Sequence, residues 1–375
     1  MSAPFVLAAG GTAGHVFPAE ALAGELLARG CGVHLLCDGR ADGFVRRVPG
    51  VEVHHVRAGR LGGGPSRAVC GLAGLAVGVV QARRLLRRLA PARVIGFGGY
   101  PSVPTMLAAR YLGLPTIIHE QNAVLGRANR LLAPHALQIA TSFPSTAGMR
   151  PADDARAVHT GNPVRPAMLA LADAGYEAPK SGGPIELLIL GGSQGARVLS
   201  EVVPPAVTAL PTGLRGRLRI SQQVRPEDLA AVAEIYQGNG IAADISTFFD
   251  DVPTRLARSH LVICRAGAST VAELAALGRP AMLIPYPHAT DDHQTANARA
   301  FAEAGGGWLI TQSGLSPEML SRRLGILLAD PTALTAAAAR ASGFGGRDAT
   351  RALARLALDL DPGAARGAPL SERAA

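Results

Sequence analysis

One loop occurs twice in this chain, and it constrains the fold more than anything else. Ala9-Gly10-Gly11-Thr12-Ala13-Gly14 follows the apolar run Phe5–Ala9, and Leu190-Gly191-Gly192-Ser193-Gln194-Gly195 follows the apolar run Ile185–Leu190. Each reads as strand, Gly-Gly, hydroxyl residue, any residue, Gly, helix. Paired glycines let the backbone turn sharply and let a ligand approach it closely. Two such starts in 375 residues predict two domains of one construction. The surrounding patterns agree. Phe5–Ala9, Gly32–Cys37, Val51–Val56, Arg93–Phe97 and Pro115–His119 read as short buried strands, with helical patterns between most of them. A second series follows at Ile185–Leu190, Leu218–Ser221, Asp244–Phe248, Leu261–Cys264 and Ala281–Pro285. Such alternation predicts parallel sheets covered on both faces. The expected class is α/β: two Rossmann-like, doubly wound domains facing across a cleft, with ligands at the C-terminal strand ends. Between the series, Asp173–Pro184 has linker chemistry, and the Ala/Gly/Pro/Arg-rich tail 361–375 is expected to fray.

Composition removes several functions. Lys180 is the only lysine, so the Gly-Lys-Ser/Thr of a P-loop is absent and a Schiff-base lysine would have to sit in a loop. Aromatic residues make up 4 %, too few for stacking single-stranded nucleic acid, and no nucleic-acid partner is expected. The net charge of +9 suits an anionic substrate or membrane surface, or simply reflects an Arg-rich composition. Cys31, Cys37, Cys70 and Cys264 form no metal-binding spacing and read as buried free thiols in a reducing compartment. MSAPFVLAAGG lacks the basic start of a signal peptide, and no run reaches the ~18 apolar residues of a membrane-spanning helix.

The richest chemistry lies between Cys264 and Asn297. Arg265 follows the strand Leu261–Cys264, and small residues through Ala268, Ser269 and Thr270 lead into a helix. A helix N-terminus offers unpaired N–H groups and partial positive charge to phosphate. Glu273, one turn on, is placed for a ribose or sugar hydroxyl. The next strand runs into His288, Asp291, Asp292, His293 and Gln294, which can bond a polyol. Phosphate and polyol partners from two neighbouring strand ends suggest a nucleotide-sugar pocket; a βαβ unit with merely polar loops is the alternative.

In the first half, Gly11 and Gly14 fit part of a dinucleotide fingerprint and Asp38 ends the second strand, but Ala9 stands where the first glycine belongs. His15 would crowd a pyrophosphate there. A neutral imidazole is instead suited to take a proton from an attacking alcohol, unless this histidine is simply solvated. Gly96-Phe97-Gly98-Gly99-Tyr100-Pro101-Ser102 forms a third glycine loop, and His119-Glu120-Gln121-Asn122 ends the next strand. Four polar residues there are expected to line the cleft with His15, or to cap the helix near Gly126–Ala133. Arg67–Leu89 reads as a helix, mostly apolar, with Arg83, Arg84, Arg87 and Arg88 at one end. It suits either an anionic membrane surface or a core position with a solvated basic end.

Together, GGTAGHVFPA, GFGGYPSVP, IIHEQNAVLGRANR, GNPVRPA, LILGGSQGA and CRAGASTVAELAALGRPAMLIPYPHATDDHQTANA closely resemble the MurG family of peptidoglycan glycosyltransferases. The resemblance runs in order from about residue 5 to 340, with Ala13 where the family usually has glycine. It implies a GT-B architecture and transfer of N-acetylglucosamine from UDP-N-acetylglucosamine to the 4-hydroxyl of lipid I, giving lipid II by inversion. It implies an acceptor and membrane-facing domain over 1–163, a donor domain over 164–340, and a helix within 341–360 that returns to the first domain. Phe248 and Phe249 would lie against the uracil, with Arg265 and Ala268–Thr270 at the nucleotide and phosphates. Glu273 would hold the ribose, and Gln294 and His293 the sugar. Ser193, Thr12, Ala13, Gly14, Asn122 and Arg165 complete the implied donor site. His15 matches the family's proposed catalytic position, with Glu120 as a competing base. Neither a cofactor nor a protein-bound metal is implied. The resemblance places the enzyme peripherally on the cytoplasmic face of the inner membrane, among cell-wall and division proteins. Two rival readings are a UDP-N-acetylglucosamine 2-epimerase of the same architecture and a nicotinamide-dependent oxidoreductase using Gly11, Gly14 and Asp38.

Overall fold

A computed structural model describes residues 3–11, 13–39, 48–59, 65–192 and 195–359. The chain forms two compact units: one runs to Arg165 and resumes at Asp348, and the other is Pro166–Arg347.

The first unit holds β1 (Phe5–Ala8), β2 (Val33–Cys37), β3 (Glu52–His55), β4 (Arg93–Gly96), β5 (Thr116–Glu120), β6 (Gln138–Thr141) and β7 (Ala157–His159). They form one sheet in the order β3-β2-β1-β4-β5-β6-β7, with every neighbouring pair parallel. β1 shows why an apolar tetrapeptide becomes a central strand. Its side chains alternate between two cores, because successive residues of a strand point to opposite faces. Phe5 and Leu7 pack with Leu22 and Leu26 of α1 (Ala13–Ala28) and with Leu353, Ala354 and Ala357 of the C-terminal helix Ala349–Asp359. Val6 and Ala8 pack with Ala82 and Leu86 of α2 (Pro65–Leu89) and with Val103 and Met106 of α3 (Val103–Tyr111).

The second unit repeats the plan with β8 (Ile185–Leu190), β9 (Leu218–Gln223), β10 (Ala242–Ser246), β11 (Leu261–Cys264), β12 (Ala281–Leu283) and β13 (Gly307–Leu309). Its parallel order is β10-β9-β8-β11-β12-β13. The helices that matter below are α4 (Arg197–Thr208), α5 (Ala268–Leu277), α6 (His293–Glu303) and α7 (Pro331–Gly343). Strand direction of winding reverses between β1 and β4 in one sheet and between β8 and β11 in the other. In doubly wound sheets ligands bind at such switch points.

Several boundaries differ from expectation. β6, β7 and β13 were not anticipated. They have three or four residues, and QIAT, AVH and GWL are too short for periodicity to register. β10 ends at Ser246, so Phe248 lies in the loop beyond it. The first unit extends to Arg165, and α7 stays in the second unit, packed on α5. Gly345 (φ 109°) and Gly346 (φ 122°) end that path before the C-terminal helix packs on α1. Cys37 and Cys264 are buried and Cys31 half-buried, but Cys70 is exposed. Thr12, Ser193 and the tail 361–375 lie outside the described residues.

Candidate active site

The first unit gathers its polar residues at the β1/β4 switch point. Gly10 must be glycine, because a Cβ there would stand 2.8 Å from Pro101 Cβ and 2.9 Å from Asp38 Oδ1. Gly11 turns with φ 88°. α1 then begins, with Ala13 and Gly14 in its first turn and His15 directly after them. His15 Nδ1 lies 2.9 Å from Gln121 Oε1. Gln121 Nε2 lies 2.9 Å from His119 Nδ1 and also donates to the His119 main-chain oxygen at 2.9 Å. His119 Nε2 in turn lies 3.1 Å from the Gly161 carbonyl oxygen. His119 is fully buried. Burial pushes its imidazole pKa down to about 4, against a smaller upward pull from the Gly161 bond, and nearby His15 lowers it further. The ring is therefore neutral at ordinary pH.

Glu120 does a different job from its neighbours. It is 1 % exposed. One carboxylate oxygen accepts from the Asn122 main-chain N–H (3.0 Å) and Asn122 Nδ2 (3.3 Å), the other from Gly126 N–H (2.8 Å) and Asn129 Nδ2 (2.8 Å). Four donors fill the acceptor capacity of a carboxylate. Glu120 thus pins the 120–129 loop, and Asn122 is held as part of that loop. Arg165 places its guanidinium 5.0 Å from the Phe17 ring centre.

The second unit has its own set of polar groups at the β8/β11 switch point. Gly191 cannot carry a Cβ, which would stand 2.4 Å from Ala196 N. Gly192 and Gly195 take φ 82° and 69°. The loop between β8 and α4 is therefore bare backbone at both ends. After β11, Arg265 is half-buried and donates to the carbonyls of Ile284 (3.1 Å) and Pro285 (3.0 Å) and to Gln312 Oε1 (2.8 Å). Desolvation lowers its pKa, yet a guanidinium stays charged. α5 starts at Ala268 behind Gly267, and no side chain caps it. Its first-turn N–H groups lie at the positive end of the helix dipole. Ser269 Oγ is buried without a hydrogen-bond partner. Glu273 is 9 % exposed, and its charge helps to raise the Cys264 thiol pKa to about 12, behind the larger effect of burial.

Gln294, on α6, joins two strand ends. Its Oε1 accepts from Ala266 N (3.2 Å) and Tyr286 N (2.9 Å), leaving the amide N–H groups directed elsewhere. His293 Nδ1 bonds the Thr290 carbonyl at 2.7 Å. Before α6, Asp291 and Asp292 both take positive φ, 53° and 51°. Residues held there are costly and cluster at ligand sites. Phe248 and Phe249 separate sharply. Phe249 is 6 % exposed and its ring face is covered by the Arg255 guanidinium at 4.0 Å, whereas Phe248 is 67 % exposed. Of the pair expected against a base, only Phe248 has a face to offer.

Three contributors were not singled out from the sequence. Gln121 and His119 were read only as part of a polar run, and Gln312 not at all. The run HEQN was the available signal for the first two. Gln312 belongs to a short 3-10 turn after β13, and nothing local marks it. The described residues that could together hold a metal, His34, Glu52 and His54, stand on β2 and β3 rather than at either switch point.

The glycosyltransferase family 28 N-terminal domain matches residues 5–141, and the family 28 C-terminal domain matches 186–353. The UDP-N-acetylglucosamine–N-acetylmuramyl-(pentapeptide) pyrophosphoryl-undecaprenol N-acetylglucosamine transferase of Rhodospirillum centenum is 57 % identical over 95 % of this chain and 94 % of its own length. The chain belongs to the MurG enzymes of glycosyltransferase family 28. The same-named transferase of Paramagnetospirillum magneticum is 55 % identical over 95 % of this chain and 96 % of its own. The crystal structure of Acinetobacter baumannii MurG superposes with a TM-score of 0.77 at 31 % identity, covering 95 % of this chain and all of that one. The two parallel sheets described above are the Rossmann-like pair of the GT-B architecture.

Proposed function

We propose that this MurG enzyme transfers N-acetylglucosamine from UDP-N-acetylglucosamine to the 4-hydroxyl of the N-acetylmuramyl-pentapeptide of lipid I, forming lipid II for peptidoglycan. The observation that carries the reading is full-length relatedness, 57 % identity over 95 % of the chain, to a transferase named for this reaction. Neither the 2-epimerase nor the nicotinamide reading accounts for that relationship.

The second unit is the donor half. The uncapped start of α5 and the Ser269 hydroxyl meet the diphosphate, and Arg265 adds positive charge. Such fixed dipoles and charges stabilise the negative charge that UDP gains as it departs. Glu273 takes the ribose, the free N–H groups of Gln294 together with His293 read the sugar, and Phe248 stacks on the uracil. From the first unit, His15 is the base. Glu120, with four donors on its carboxylate, has no acceptor capacity to spare for a hydroxyl proton, so the structure favours His15. The donor is α-linked and the product β-linked, so a single in-line displacement with inversion follows. Thr12, Ala13, Gly14, Asn122, Arg165 and Ser193 remain donor-site members on the strength of the motifs that contain them.

Membrane attachment is peripheral in this reading, at the cytoplasmic face. Among the described residues, no helix is long and apolar enough to cross a membrane. α2 exposes Leu72 (55 %), Val77 (41 %) and Val80 (49 %), with exposed Arg83, Arg84, Arg87 and Arg88 after them. Apolar side chains beside arginines suit an anionic lipid surface.

Incubation with UDP-N-acetylglucosamine labelled in the sugar, with and without a lipid I analogue, tests the function. Label is expected in a lipid product only when the analogue is present. Interconversion of the free donor sugar without acceptor would overturn the reading in favour of an epimerase.

A further inference from the structure

The hydrogen-bond chain that ends on His15 admits one arrangement of protons. His119 Nε2 faces the Gly161 carbonyl at 3.1 Å. A carbonyl only accepts, so Nε2 carries the hydrogen. The buried ring is neutral, which leaves Nδ1 a bare lone pair. Gln121 directs one end of its amide at that lone pair and at the His119 main-chain oxygen, both at 2.9 Å. Two acceptors against one end identify it as the NH2 group, which fixes the amide orientation from its bonds. The other end, Oε1, only accepts, and it lies 2.9 Å from His15 Nδ1. His15 Nδ1 must therefore donate. A neutral imidazole has one N–H, so Nε2 of His15 holds the lone pair. The Gly98-Gly99 loop lies along this edge of the ring. A Cβ at Gly99 would come to 3.1 Å from His15 Cδ2 and 3.4 Å from Nε2. Glycine there keeps a side chain off that edge of the ring.

We propose that Gln121 is a positioning residue for the transfer reaction: held by His119, which is itself tied to the Gly161 carbonyl, it locks His15 in the Nδ1–H tautomer and reserves Nε2 for the acceptor's hydroxyl proton. This rests on the reading of His15 as the base. In the step itself, the hydroxyl O–H bond breaks toward Nε2 as its oxygen bonds the sugar C1. The C1–oxygen bond to the diphosphate breaks, and that electron pair leaves with UDP. His15 becomes an imidazolium, and its Nδ1–H bond to Gln121 Oε1 becomes charge-assisted and stronger. No proton passes through Gln121 or His119. Their role is orientation and choice of tautomer, which a buried aspartate fills in serine proteases.

Nitrogen NMR of the 15N-histidine-labelled protein tests the lock directly. At alkaline pH, the resonances lost in His15→Ala identify His15. They are expected to show a protonated Nδ1 and a bare Nε2; a protonated Nε2 overturns the proposal. Gln121→Leu should mix the two tautomers and lower kcat about ten-fold or more, within the range of general-base assistance, with the Michaelis constant for UDP-N-acetylglucosamine unchanged. Gln121→Glu keeps an acceptor for His15 Nδ1–H although a carboxylate cannot donate to His119, so it should keep the Nδ1–H tautomer of His15, and a protonated Nε2 in that variant overturns the proposal. It also decides the matter if the leucine variant fails to fold. An unchanged kcat in a folded Gln121→Leu, or tautomers mixed equally in wild type, contradicts the proposal. If His15→Ala transfers at the wild-type rate while the wild-type spectrum shows the locked tautomer, the base reading falls and the lock stands.

Discussion

Phe248 and Phe249 are adjacent in sequence and opposite in environment. Phe249 belongs to the core under Arg255, and Arg255 is itself fixed by Asp251 at 2.7 Å and Asp244 at 2.6 Å. Phe248→Ala should therefore raise the Michaelis constant for UDP-N-acetylglucosamine several-fold with little change in melting temperature, since stacking on a base contributes about 1–3 kcal/mol. Phe249→Ala should chiefly lower stability, by about 3–5 kcal/mol if the cavity does not collapse. Calorimetry beside donor kinetics separates the two, and equal effects would refute the division. His119 gives a pH prediction. Its native pKa of about 4 lies below the ~6.5 of an unfolded chain. Between these values the unfolded chain binds a proton that the native state does not. Stability is therefore full above the unfolded value and falls as pH drops toward 4, by on the order of 3 kcal/mol from this group. Urea unfolding of His119→Gln across that window should show an acid dependence weaker by about one proton; an identical dependence would contradict the neutral, buried ring.

The elements explain what the sequence disclosed and what it did not. The buried strands beside the glycine loops, such as FVLA and LVIC, announced themselves because parallel strands covered on both faces are runs of apolar residues. The last strand of each sheet was silent, since AVH and GWL each pair with a single neighbour and are too short to carry a repeat, whereas the opposite edges were read from the sequence. The start of α5 was legible from its small residues, and the site's polar ends were legible as motifs. Legibility stopped at pairing: nothing in HEQN says that Glu120 turns to its own loop while Gln121 turns to His15, because that depends on a strand's alternation and on Asn129 nine residues away. Two expectations belong at this scale. If Glu273 on α5 holds the ribose as proposed, Glu273→Ala removes a charge-assisted bond, about 1.5–3 kcal/mol, and the donor Michaelis constant should rise about ten-fold or more. Unchanged donor kinetics would remove Glu273 from the site. For α2, replacing Arg83, Arg84, Arg87 and Arg88 by Gln should release the protein from anionic vesicles, since each charge contributes about 1 kcal/mol near such a surface. Equal sedimentation of wild type and variant would return α2 to a purely structural role.

At the scale of the whole molecule, the same sheet order appears twice with different equipment. The second unit carries an uncapped helix start, an arginine and an orphan hydroxyl, which suit a diphosphate. The first carries an imidazole with an organised hydrogen-bond chain behind it, which suits proton transfer. In the proposed mechanism donor binding and base chemistry are divided in this way, with His15 as the base. The dependence of turnover on pH, measured for wild type and His15→Ala at saturating donor, tests it most directly. Wild-type turnover should fall on the acid side, where a base that already carries a proton accepts no other. His15→Ala should lower turnover by about 10²–10⁴-fold, keep its affinity for UDP, and lose that acid limb. An acid limb that persists unchanged in His15→Ala would contradict the account and place the base elsewhere.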